Sequence, residues 1–313
     1  LLTIPPFRDQ HIHFLAAGRP LSLAGAQEQV AAYRRCGIFS LREMGAANGL
    51  GLAVKEALKR APLEGLRLEA CGQALHRSGT YGGFLGRGVS GPAEIRRAVR
   101  DLAAAGADFL KIIHSGIVTL RPEDPVTAGG FSREELHVLA EESQNRALPL
   151  HCHANGDGAI RTAAALPVTS IEHGFFMSRD SLQILREKGV VWIPTIFALA
   201  HLEEGLSADQ RRERDRIIAG HLETVAYAVS IGVRVRVGTD SGAGHLRPGV
   251  SFFEELRLLR QAGLSLAQIV EAACLGPEEN RAGDFLMVEE DFIEKASVEE
   301  IYLQGRLLTA AHA

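Results

Sequence analysis

The chain has 313 residues, 46% of them apolar and 23% charged, the balance of a soluble globular protein with room for one large domain or two ordinary ones. A formal net charge of −4 excludes the basic footprint of a nucleic-acid partner. No apolar run is long enough to span a bilayer and no secretory leader is visible, and the four cysteines, Cys36, Cys71, Cys152 and Cys274, form no C-x-x-C pair; the expectation is a cytoplasmic protein with reduced thiols and no membrane partner.

In chain order, a short apolar run at Leu2–Ile4 is followed by "RDQHIHF", which puts His11 and His13 at i and i+2. On a strand these positions share one face, where two neutral imidazoles can grip one metal ion. A helical pattern, "AGAQEQVAAYRRCG", stops on Gly37, and "GIFSLRE" (37–43) and "LRLEACG" (66–72) read as strands.

Next comes "HRSGTYGGFLGRG", in a stretch with six glycines between residues 79 and 91. It reads either as a surface loop or as a lid over a site, carrying His76, Arg77 and Tyr81. "GRGVSG" (86–91) fits the dinucleotide fingerprint G-x-G-x-x-G, but its glycines do not come straight off a strand, and Gly91-Pro92 reads as a helix start. A nicotinamide enzyme is set aside on that ground.

After the helix "AEIRRAVRDLAAAG", the strand "DFLKII" (108–113) buries Lys111 among Phe109, Leu110, Ile112 and Ile113. Desolvation lowers the pKa of such a lysine, and a neutral amine can take up carbon dioxide as a carbamate whose two oxygens bridge two metal ions. The helix "SREELHVLAEESQNRA" leads to "LPLHCH" (148–153), ending on His151 and His153. "TSIEH" (169–173) ends on His173, "VVWIPT" (190–195) follows, and "VRVRVGTD" (233–240) ends on Asp240. Singly, each has an ordinary reading: a histidine terminates many strands, and Asp240 in "GTDSG" suits a turn or a helix cap.

Eight strand-like runs alternating with helices argue for a parallel sheet, and their number matches an α/β (β/α)8 TIM barrel; the rhythm alone also permits a doubly wound open sheet. The tail "DFLMVEEDFIEKASVEEIYLQGRLL" breaks the rhythm, with short strands at 285–288 and 300–303 and a turn into a third. The expected organisation is a barrel over 1–276 with a small, truncated β appendage over 277–313.

The segments "DQHIHF", "DFLKII", "LPLHCH", "SIEHG" and "GTDSG", in that order, resemble the amidohydrolase superfamily, nearest its imidazolonepropionase-like and prolidase-like branches. The resemblance implies a binuclear metal centre. His11, His13 and Asp240 would hold one ion, His151 and His173 a second, and a carboxylated Lys111 would bridge them. His151 is preferred to His153 only because the family uses the first histidine of this strand. The cofactor implied is zinc, one or two ions per chain, with manganese or iron as substitutes. The implied reaction is cleavage of a C–N bond in an amide, cyclic amide or dipeptide by a metal-activated hydroxide, with Asp240 as general base and then acid. An ester or lactone hydrolase at the same metals, and a catalytically silent barrel that binds a small ligand, stay open.

Set against the family, the sequence is expected to be without the N-terminal β-sandwich half, and it carries His114-Ser115-Gly116-Ile117 after the lysine strand. The expected partner is a small-molecule substrate, and an oligomer is compatible with the sequence. Candidate substrate contacts are His76, Arg77, Tyr81, His114 and His245. Arg77, Arg121 and Arg247 suit a substrate carboxylate, because a guanidinium makes paired hydrogen bonds to one. His137 and His221 are expected on outer helices, away from the site.

Overall fold

Pro5 and Pro6 interrupt the chain immediately after its first strand, and the interruption decides the topology. Neither proline has an N–H for a ladder. In the computed structural model, which describes residues 1–16, 18–243 and 246–308, Leu2–Ile4 does not enter the barrel. It pairs antiparallel with Phe285–Val288, with Leu2 opposite Val288 and Ile4 opposite Leu286. Glu300–Leu303 and Arg306–Leu308 extend this into a four-stranded sheet. The appendage therefore draws a strand from each end of the chain, and the boundary expected at residue 276 is crossed by residues 2–4.

The first barrel strand is Phe7–Ile12, a run that looks polar yet is buried throughout. Around the ring follow Ile38–Glu43, then Arg67–Ala70 and Ala74–Arg77 as two pieces of one interrupted position. Leu110–Ile113, Leu150–Ala154, Ser170–His173 and Val191–Ile193 come next, each parallel to its neighbour. The eighth position is the stretch 233–241. It is tied to Val191–Ile193 by Trp192 N to Arg234 O at 2.9 Å, and to the first strand by Gln10 N to Val237 O at 3.0 Å and Asp240 N to His11 O at 2.8 Å. The ring closes as a (β/α)8 barrel.

The helices lie where apolar periodicity places them, at Leu23–Arg35, Gly91–Ala104 and Arg133–Asn145 among others. Gly91–Ala104 buries Ile95, Ala98, Val99 and Leu102, one stripe at helical spacing. Ser132 and Glu135 form a reciprocal capping box at the start of Arg133–Asn145. No helix among the described residues is long and apolar enough to cross a membrane.

Candidate active site

The upper ends of the strands converge on a cavity of about 170 Å³ whose floor holds His11, His13, Lys111, His153, His173 and Asp240. The two first-strand histidines are held from behind through Nδ1. His11 donates to Glu172 Oε2 at 2.7 Å, and His13 donates to the Gly45 carbonyl at 2.8 Å. That fixes the tautomer and turns both Nε2 atoms toward Asp240 Oδ1, at 3.4 and 3.2 Å. His173 is oriented by Thr195 Oγ1 at 2.7 Å, and His153 by the Gly116 carbonyl, 3.0 Å from Nε2. His11, His173 and Asp240 each offer a ligand atom within 4.8 Å of the others.

The backbone is strained where these groups sit. His173 (φ 67°), Thr195 (φ 45°) and Asp240 (φ 57°) all occupy the left-handed region, which costs a non-glycine residue about 1–3 kcal/mol. Buried Asp9 helps to hold the eighth strand against the first, accepting from His11 N, Thr239 N and Thr239 Oγ1. Burial pushes its carboxyl up to about 7, against the pull of those hydrogen bonds. Both glycines of "GTDSG" are required by close approach. A Cβ at Gly238 would lie 2.7 Å from His11 Cβ, and one at Gly242 would lie 1.8 Å from the His13 carbonyl oxygen.

Burial is also the main electrostatic force on the floor. It drives His153 down to about 3 and lowers His11 and His173, so these imidazoles are neutral near pH 7, the form that binds metal. Asp240 goes the other way. Burial raises its carboxyl, but the contact with His13 and the polar imidazoles facing it outweigh that, leaving it well below the usual carboxylate range. Lys111 is 1% exposed, its amine is lowered by burial, and Nζ has no hydrogen-bond partner among the described residues. A buried amine without an acceptor is costly. The residues present fit a carbamate and a divalent ion: an orphaned amine, neutral imidazoles and one ionised carboxylate share one floor.

On the fifth strand the expectation fell on His151, but the side chain that faces the cavity is His153. The two point the same way at different depths. His151 lies one layer below, bonded to Ser170 Oγ at 2.6 Å and packed on Phe109. Of the expected substrate contacts, Tyr81 lines the cavity. His76 is buried with Nδ1 on its neighbour's carbonyl, and His114 bridges Thr162 Oγ1 and the Phe131 amide. Arg77 is half-exposed and lies 3.7 Å from Glu135, while Arg121 and Arg247 are exposed. His245 lies outside the described residues. His137 is exposed on its helix as expected, but His221 is buried, its ring stacked on Phe175 at 3.9 Å.

Sequence reasoning missed Glu172, fully buried and accepting from both His11 and Ser170. It also missed Asn155, whose amide oxygen accepts from Phe175 N at 3.1 Å beside His153. Glu172 carried a signal: an acidic residue inside a short strand, one position before a candidate ligand.

Residues 3–280 match the model of the amidohydrolase family. Among curated proteins, ochratoxinase of Aspergillus niger is 28% identical over 296 residues; the match covers 80% of this chain and 60% of that protein, so the chain spans about three fifths of the relative's length. Among solved structures, a Xaa-Pro dipeptidase with bound methionine in its active site superposes with a TM-score of 0.80 at 20% identity, over 98% of this chain and 86% of the other. A structure described as an amidohydrolase superposes with a TM-score of 0.80 at 26% identity over the same shares.

Proposed function

The chain belongs to the amidohydrolase family, and we propose that it is a hydrolase that cleaves a C–N bond in a small amide or cyclic amide at a divalent metal centre. The observation that carries this reading is Lys111: a buried amine without a partner among the described residues, on the same floor as four imidazoles and an ionised carboxylate. His11, His13 and Asp240 would hold one ion and His153 and His173 a second, with Lys111 as a carbamate between them. Nitrogen and oxygen donors suit zinc, and also manganese or iron. When bound, the metal supplies an acidified water and a Lewis acid for the scissile carbonyl.

The chain's own residues supply the rest. Glu172, Gly45 and Thr195 fix the imidazole orientations from behind, and such outer contacts are worth about 10–100-fold in metal affinity. Asp240, ionised at neutral pH, accepts the proton of the attacking water. It then returns that proton to the departing nitrogen, so the amide leaves as a carboxylic acid and an amine. The buried free cysteines are compatible with a reducing, cytoplasmic setting.

The test is hydrolysis of a panel of amides before and after chelation. Activity that disappears with chelator and returns with added zinc or manganese is the expected result. Activity indifferent to both would remove the metal from the reaction.

A further inference from the structure

Above the floor, the cavity changes character. One side is formed by Tyr81 and Phe84, the other by Ile117, Val118, Leu199 and Leu202, and no charged side chain joins them among the described residues. Phe175 and Leu199 belong to a separate apolar cluster with Ile217, backed by Val118, so this wall has its own packed support. Ile117 and Leu202 are 42% and 40% exposed, two of the few large apolar side chains that face solvent, and both line this one cavity. An apolar rim around a polar floor marks a surface that a ligand covers. The arginines near it in sequence do not line it: Arg77 lies beside Glu135, and Arg247 is exposed to solvent.

Resting on the amide-hydrolase reading above, we infer that the substrate presents an uncharged aromatic or branched aliphatic group to this wall, and that Ile117 and Leu202 determine that specificity. A carboxylate placed here would lose its hydration with no cation among the described wall residues to replace it. The size is consistent: a cavity of about 150 Å³ lined by apolar side chains takes up benzene. The 170 Å³ here includes the space over the floor, so one ring-sized group fills the apolar part and extends between Ile117 and Leu202.

The experiment compares N-benzylacetamide with its acid-bearing analogue, 4-(acetamidomethyl)benzoic acid, by calorimetric binding to the metal-loaded protein and by hydrolysis. Wild type is expected to bind the neutral compound at least tenfold tighter, about 1.4 kcal/mol. Leu202→Lys and Ile117→Lys should shrink or invert that ratio through affinity, with circular dichroism and metal content unchanged. Equal, acid-preferring or undetectable binding of both compounds overturns the inference, as does a ratio that neither variant moves. Preferential binding without hydrolysis would leave the inference standing and count against the amide chemistry, so the two failures are told apart.

Discussion

At the lower end of the barrel Arg8 donates to Glu69 at 2.9 Å and pairs with Glu279, and Arg42 donates to Glu69 at 3.0 Å and to Gln10 at 3.1 Å. At the upper end four imidazoles crowd one carboxylate, and the Lys111 amine meets no acceptor among the described residues. Both layers bury charge inside the same ring of strands. In the lower one each guanidinium has a carboxylate, and only Arg8 Nε is left without a partner among the described residues. In the upper one the donors face one another across a cavity. Buried polar groups ordinarily find partners, so a layer that does not is organised around something else. Glu172 joins the two, with one oxygen on His11 above and the other on Ser170, which bonds His151 below.

If the layers differ in this way, changes to the upper one cost chemistry and changes to the lower one cost stability. The largest expected effect is at Asp240. Asp240→Asn, assayed with the metal site saturated, should lower kcat by roughly 10²–10⁴, the scale of general acid–base catalysis. Arg42→Met should leave kcat alone and destabilise the fold by about 2–3 kcal/mol in urea unfolding. That is less than a fully buried pair would lose, because Glu69 is 41% exposed. Glu172→Gln should weaken metal affinity about 10–100-fold, measured by competition with a chelator, while the fold persists.

The smallest effect sharpens the comparison most, because it changes sign. In metal-free protein, Lys111→Met removes a buried amine that has no partner among the described residues and should raise stability by about 1–2 kcal/mol. Arg42→Met and Lys111→Met are the same kind of substitution in the two layers. A loss of stability in both would mean that Lys111 already has a partner in the fold.

The upper layer was the more legible of the two in the sequence. His-x-His, a lysine inside "DFLKII" and an aspartate in "GTDSG" are out of place in ordinary strands, and strand–helix alternation puts their ends on one face of a barrel. Depth within the barrel was not legible. A period of two says that His151 and His153 share a face, but not which one reaches the cavity. The first barrel strand was hidden because "FRDQHI" is polar; its Arg8, Asp9 and Gln10 are buried by pairing with groups far away in sequence, and Leu2–Ile4 looked the better strand. His76 and His114 look like substrate contacts in the sequence because nothing local in it shows that a carbonyl or a hydroxyl already occupies them. His221 sits on an outer helix as its pattern suggests, but the helix turns that ring inward onto Phe175.

The central claim is that the upper layer is organised around divalent metal. The most direct measurement is elemental analysis of wild type, His153→Ala and His151→Ala, each reconstituted with zinc or manganese and then dialysed. The account predicts one to two ions per chain in wild type, a sharp fall in His153→Ala and a smaller one in His151→Ala. Wild-type protein that retains no ion after reconstitution would contradict it.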